Sequence, residues 1–321
     1  MAKVRAKQTS VRKSVVNVFA RSILTGNSVM AARVLSLIEK SDPIASEVMK
    51  RLYSHTGRAR MIGITGSAGT GKSSLIDQMI AEFRRRKKNL GILTVDPSSP
   101  FSGGALLGDR LRMRGHFLDP GVFIRSLATR NGLGSLPRSI FAATQLLDAM
   151  GKEYILIETI GIGQNQVDIA QIVDTVIVVT TPAGGDEIQA LKAGVLEIAD
   201  ILVMNKSDLP GAEQMVFHLA ELFGATGLPL FRTSALRNEG IAPLIDAIEK
   251  RTPELEFKAN RKQQKLKISR AQMFILVRDR LMARLEAKLG DHEIEQWVQR
   301  IANNDTDPYT AAEMIVAKAG L

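Results

Sequence analysis

The octapeptide Gly66-Ser67-Ala68-Gly69-Thr70-Gly71-Lys72-Ser73 constrains what this chain can fold into more than any other stretch. It fits G-x-x-x-x-G-K-[ST], which functions only where a buried strand runs into a glycine turn and then a helix. Met61-Ile62-Gly63-Ile64-Thr65 reads as that strand, and Leu75, Ile76, Met79, Ile80 and Phe83 recur at helical spacing behind the loop. Glycines let the backbone curl around a phosphate with its N–H groups inward, and the helix N-terminus adds partial positive charge. Lys72 is placed to reach β- and γ-phosphates and the Ser73 hydroxyl to ligate Mg²⁺. The residues from Gly66 to Ser74 therefore imply a nucleoside-phosphate site.

Around this motif, strands and helices alternate. Apolar strand runs fall at Gly91 to Val95, Val122 to Ile124, Tyr154 to Ile157, Thr175 to Val179, Ile201 to Met204 and Pro229 to Phe231. Helical patterns lie between most of them, at 138–150, 187–198, 212–223 and 241–250. This predicts an α/β fold of the P-loop NTPase kind, a mostly parallel sheet flanked by helices. Helical extensions are expected at both ends, giving an N-terminal extension at 1–58, a nucleotide-binding domain at 59–255 and a C-terminal arm at 256–321. Folded-looking sequence begins near Val15, and the basic stretch 258–267 reads as a linker. In the arm, Phe274, Val277, Leu281 and Leu285 form one apolar stripe, and Ile294, Trp297, Val298 and Ile301 another. Asp307-Pro308 reads as the cap and first turn of a last helix.

Composition removes several function classes. The chain has no cysteine and four scattered histidines, which excludes disulfides and thiolate metal sites and leaves no histidine spacing for a metal. No apolar run is long enough to span a bilayer, and we expect a cytoplasmic protein. The formal charge is +10. Its basic runs lack interleaved aromatic residues, so nucleic acid is not the expected partner, while an acidic protein would be steered by the same field. The basic, acid-poor N-terminus also fits an organellar transit peptide.

Asn205-Lys206-Ser207-Asp208 follows the strand Ile201 to Met204 and fits N-K-x-D. Guanine presents N1–H and a 2-amino group, both of which the Asp208 carboxylate can accept. Adenine would leave that carboxylate desolvated and unpaired. Asn205 can bond the other edge of the base, and the Lys206 stem can lie over the ring. Thr233-Ser234-Ala235-Leu236 then follows another strand, where a Ser-Ala loop would touch the base through Ser234, Ala235 and Leu236. Two further strands end in carboxylates, Asp96 and Glu158, at the edge where open α/β sheets bind ligands. With Ser73 they are candidate Mg²⁺ ligands. Glu158-Thr159-Ile160-Gly161 resembles a D-x-x-G switch with glutamate first. Ile162 stands where many small G proteins carry a water-orienting glutamine, which predicts slow intrinsic hydrolysis completed by a partner or another side chain.

Longer segments carry a family resemblance. Val95-Asp96-Pro97-Ser98-Ser99-Pro100-Phe101-Ser102-Gly103-Gly104-Ala105-Leu106-Leu107-Gly108-Asp109-Arg110, Phe123-Ile124-Arg125-Ser126, Glu158-Thr159-Ile160-Gly161-Ile162-Gly163-Gln164 and Gly185-Asp186-Glu187-Ile188-Gln189-Ala190-Leu191-Lys192-Ala193-Gly194 together resemble the MeaB/ArgK-type GTPases. Those proteins chaperone adenosylcobalamin-dependent acyl-CoA mutases. The resemblance covers about 20 to 318, nearly the whole chain. It implies GTP or GDP with Mg²⁺ as ligands, Asp96, Asp109 and Glu158 around the metal or the attacking water, and Lys72, Asp109, Glu158 and Lys192 in catalysis. Lys192 would support the γ-phosphate or communicate with the client. It further implies a cobalamin-dependent mutase as partner and a homodimer formed through C-terminal helices.

Three departures stand out. Ala68 replaces a usual proline, Gln166 a usual glutamate, and Leu133-Gly134-Ser135-Leu136-Pro137 the common L-G-G-L-A. They fit a paralogue serving another acyl-CoA mutase, such as an isobutyryl- or hydroxyisobutyryl-type enzyme. Other readings stay open at this point: a transport-associated ATPase or kinase, as older naming of the family has it, and a nucleotide-gated binding protein with little turnover. A nickel-delivery GTPase would need Cys or His ligands that are missing here.

Overall fold

The computed structural model describes residues 2–97, 113–129, 137, 139–159, 169–182, 196–256 and 259–320. The sheet contains β1 (Arg60–Thr65), β2 (Leu90–Pro97), β3 (Val122–Thr129), β4 (Tyr154–Glu158), β5 (Thr175–Thr180), β6 (Ile201–Met204) and β7 (Leu230–Arg232). Their order is β3–β2–β4–β1–β5–β6–β7, and all neighbours are parallel. The chain moves outward from β1 to one side, returns to insert β4 beside β1, and then builds β5, β6 and β7 on the other side. The order thus reverses at β1, the kind of switch point where such sheets open a ligand crevice at their carboxyl ends.

Every residue of β4 and β5 is buried, as expected of parallel strands covered on both faces. On one face, α4 (Lys72–Arg85) and α7 (Ile241–Glu256) supply Leu75, Ile76, Met79, Ile80, Phe83, Leu244, Ile245 and Ile248. They pack against Ile62, Ile64, Leu90, Ile92, Leu156, Ile177 and Val203 of the sheet. Each such side chain taken from water contributes about 1.5–3 kcal/mol. An Arg86 guanidinium bridging Glu82, Asp246 and Glu249 ties the two helices together at that face. On the other face, α5 (Ile140–Ala149) lies over β2 and β4, and α1 (Ala2–Leu24), α2 (Ser28–Glu39) and α3 (Pro43–Leu52) pack on one another and on α5. Asn27 and Asp42 cap α2 and α3 by accepting from Met30 N–H and Ile44 N–H.

Two expectations change. The first helix begins at Ala2, well before Val15. The basic stretch 258–267 is helical from Ala259; its Lys, Arg and Gln residues are good helix formers. Of the helix expected at 187–198, only a 3₁₀ turn at Leu196–Ile198 is described. The chain divides into two compact units, Met1–Arg261 and Lys262–Leu321. Within the second, α8 (Ala259–Ala302) is broken at Gly290, whose backbone is not helical. α6 (Ala212–Phe223) belongs to the first unit and α9 (Pro308–Ala319) to the second. Asp307 caps α9 by accepting from the N–H groups of Tyr309 and Thr310, with Pro308 in the first turn, and Lys318 pairs with Glu293 at 2.5 Å.

Candidate active site

The strand order sets the layout of the carboxyl edge. Asp96 near the end of β2, Glu158 at the end of β4, the glycine loop after β1, Asn205 after β6 and Thr233 after β7 stand in one row. β6 lies two strands from β1, about 10 Å at the usual ~4.8 Å spacing. Carboxylates therefore sit on one side of the loop and the N-K-x-D segment on the other.

The loop is held in a shape that glycine alone permits at two points. Gly66 has φ +141°, and a Cβ there would meet the Val179 carbonyl oxygen at 2.1 Å. Gly71 has φ +86°, and a Cβ would meet Asn205 Nδ2 at 2.6 Å. The tip, Ala68 and Gly69, is exposed, while Thr70 is buried and its hydroxyl donates to the Ser67 carbonyl at 3.0 Å. Lys72 and Ser73 open α4 and are buried. The Lys72 ammonium donates to the carbonyls of Gly66 and Ser67, both at 2.9 Å. Ser73 Oγ donates to Glu158 Oε1 at 2.7 Å. Ser74 is half-buried on the next turn position.

Glu158 and Thr159 are anchored to β1. Glu158 stands opposite Ile64 in the register. Thr159 donates its N–H to the Ile64 carbonyl at 3.1 Å and its hydroxyl to Thr65 Oγ1 at 3.0 Å. Asp96 is buried on β2, accepting from Thr94 Oγ1 at 3.3 Å, and Thr94 also shares a 2.7 Å bond with Ser126 of β3. Asp109, Ile162, Gln166, Lys192 and the segment 133–136 lie outside the described residues. Among the described residues no three His, Cys, Asp or Glu side chains cluster closely enough to hold a metal by themselves. The donors gathered here, a hydroxyl and two carboxylates, are hard oxygens suited to a small divalent cation that keeps waters and takes phosphate oxygens.

At the other end, Asn205 makes bonds that its sequence position alone does not suggest. Its Nδ2 donates to the carbonyls of Thr70 at 2.9 Å and Gly71 at 3.5 Å. Its Oδ1 accepts from Thr233 Oγ1 at 3.1 Å and from Ala235 N–H at 3.2 Å. The carboxamide thus bonds the protein through both its nitrogen and its oxygen. These bonds give Asn205 a structural role beside the base-edge contact expected of it. It is the rivet joining the phosphate loop to the two loops after β6 and β7.

Lys206 takes φ +57°, a left-handed conformation. This lets Ser207 N–H reach the Thr233 carbonyl at 3.0 Å, and it lays the Lys206 stem beside Gly71. Asp208 is half-exposed and accepts from Ser234 Oγ at 2.6 Å. The Ser234 hydroxyl, first among its surroundings, holds the Asp208 carboxyl below its ordinary range. Ser234 and Ala235 are buried, whereas Leu236 is exposed. Ser234 also pairs with Glu239 in a short bridge that closes the loop. Sequence reasoning placed Ser234 and Ala235 near a base but missed that the Ser234 side chain positions Asp208. It also missed Thr159 and Thr233, whose partners are remote in sequence.

A phosphate-gripping loop on the middle strand of a parallel sheet, joined by one buried asparagine to an N-K-x-D clamp two strands away, defines a P-loop nucleotide hydrolase of the GTPase class. The chain belongs to the family described as methylmalonyl-CoA mutase-associated GTPase MeaB, which it matches over residues 31–290. It is 41% identical over 300 residues to a protein of Pyrococcus abyssi whose name proposes it as a GTPase, covering 91% of this chain and 93% of that one. It is 34% identical over 203 residues to the mitochondrial methylmalonic aciduria type A homolog of Caenorhabditis elegans, covering 59% of this chain and 51% of that one. A solved structure titled LAO/AO transport system kinase shares the fold, with TM-score 0.67, 20% identity and coverage of 96% and 98%. The chain is thus a GTP hydrolase. No helix among the described residues is long and apolar enough to cross a membrane.

Proposed function

We propose that this GTPase gates adenosylcobalamin loading into a cobalamin-dependent acyl-CoA mutase, methylmalonyl-CoA mutase or a close relative, and protects or reactivates that enzyme. The family match and the kinship with the methylmalonic aciduria homolog support the mutase as client. The observation that carries the nucleotide part is the Asn205 rivet, because it fixes a guanine clamp at a set distance from a phosphate loop.

In this reading the loop N–H groups from Gly69 to Ser74 enclose the β-phosphate, and Lys72 turns toward the β- and γ-phosphates. Ser73 and Glu158, already 2.7 Å apart, would hold Mg²⁺ together with Asp96. That ion supplies charge neutralisation at the transferring phosphoryl group. Asp208 accepts N1–H and the 2-amino group of guanine while Ser234 keeps it ionised and oriented, and Lys206 covers the ring. Asp109 and Lys192 are assigned to the metal or water and to the γ-phosphate on the family resemblance. The half-exposed stripe of Phe274, Val277 and Leu281 on α8 supports a homodimer through the C-terminal arm. The site of action is the cytoplasm.

The test is GTP hydrolysis by the purified full chain, alone and with candidate adenosylcobalamin mutases. Strong acceleration by one mutase is expected and identifies the client. Normal GTP binding with no acceleration by any mutase would overturn the gating role and leave a nucleotide-binding switch with another partner.

A further inference from the structure

The opposite edge of the sheet carries a cavity of about 560 Å³ where β1 and β4 begin. It lies about 17 Å from the phosphate loop, the length of β1 at ~3.3 Å per residue. Its volume is within the ~300–1,000 Å³ typical of small-molecule sites.

The charges lining it are unequal in availability. Arg58, Arg60, His55 and Lys152 contribute basic groups, against the carboxylates of Asp148 and Glu153. Asp148 is spent on the backbone, accepting from the N–H groups of Gly57, Arg58 and Ala59. Glu153 accepts from Asn89 N–H at 3.1 Å and from the Lys88 ammonium at 3.2 Å. The Arg58 guanidinium is exposed and makes no ion pair among the described residues. Lys152 is buried, donating to the Gly121 carbonyl at 3.0 Å. Tyr154 and Leu24 add apolar wall. The planar Arg58 guanidinium, with Arg60 and Lys152 adding positive charge beside the Tyr154 wall, suits a phosphoryl group on an organic body better than an isolated ion.

We propose that this amino-edge pocket is a second anion site, which takes a phosphoryl-bearing small molecule between the N-terminal helices and the start of β1 and β4. It does not depend on the nature of the client or on the gating role.

The probe is inorganic pyrophosphate, titrated calorimetrically into the full chain with GDP saturating the carboxyl-edge site in magnesium-free buffer. One further pyrophosphate per chain is expected. Arg58→Gln should weaken it several-fold, and Arg58→Gln/Arg60→Gln by about tenfold or more, given charge-assisted bonds, while Lys72→Ala leaves it unchanged. Arg58 is exposed, so its single variant remains informative if the double variant misfolds. Absence of binding to the GDP-loaded chain, loss in Lys72→Ala, or full affinity in Arg58→Gln would each overturn the proposal.

Discussion

At the β6–β7 end of the carboxyl edge, the side chains of the N-K-x-D segment and of the loop after β7 are already bonded to one another. At the β4–β1 end, the groups that face phosphate and metal are bonded to the loop itself and to each other. Asn205 and the Ser234–Asp208 pair illustrate the first situation. Lys72 on the carbonyls of Gly66 and Ser67, and Ser73 on Glu158, illustrate the second. A clamp built in advance reads its ligand with little reorganisation. Groups that must exchange a protein bond for a nucleotide oxygen respond to which nucleotide is present. In the proposed function, base selection and response to the γ-phosphate thus fall to different ends of one sheet edge.

Substitutions can separate or fuse these two ends. The largest effect on turnover is expected from Lys72→Ala, which should lower GTP hydrolysis by about 10²–10³ while guanine preference, measured by competition, stays. Asp208→Ala should do the reverse at the other end. Loss of two hydrogen bonds to a carboxylate weakens GDP binding by about 10²–10⁴, and inosine and guanine nucleotides should become nearly equivalent. If Lys72→Ala also abolished base preference, the ends would not be separable.

Asn205→Ala should couple the two. It strands the Thr70 carbonyl and the Ala235 N–H, so thermal unfolding should show a loss of about 2–4 kcal/mol, and phosphate and base affinity should fall together. Ser234→Ala is milder. Without the hydroxyl the Asp208 carboxyl rises toward its ordinary range, so GDP binding should weaken about 3–10-fold and be lost at a higher pH on acidification. A pH titration of affinity in both proteins checks the sign.

The smallest effect concerns Lys152, remote from both ends. Burial, with Arg84 nearby, pushes it down to about 8 from an ordinary 10.5. Between those values the unfolded chain holds more protons than the folded one, so stability rises as pH increases from about 8 toward 10.5. Lys152→Met should flatten that rise in urea unfolding curves relative to the unaltered chain.

Much of this was legible because the informative signals are local. The glycine loop, N-K-x-D and the apolar strands each declare themselves within a few residues, and the parallel sheet follows from their alternation. What stayed hidden depends on contacts between distant residues. β3 reads as Val122 to Ile124 because Arg125 and Ser126 interrupt the apolar run. In the fold Arg125 reaches Glu39 of α2 at 2.5 Å and Ser36 at 3.1 Å, and Ser126 bonds Thr94, so the strand continues to Thr129. The structural role of Asn205 is hidden in the sequence because its four partners lie on two other segments, Thr70–Gly71 and Thr233–Ala235. The helix from Ala259 onward agrees with the helix propensity of its Lys, Arg and Gln residues, although their charge also fits a linker. The amino-edge pocket has no motif, since its basic groups come from a turn after α3, the first residue of β1 and the turn before β4.

The most direct measurement is competition for the nucleotide site of the full chain, with a bound guanine nucleotide challenged by GDP and by ADP. A preformed clamp centred on Asp208 predicts that ADP competes at least about 10³-fold more weakly, the discrimination expected when a carboxylate covered by the base is left unpaired. ADP competing within about tenfold of GDP would contradict it.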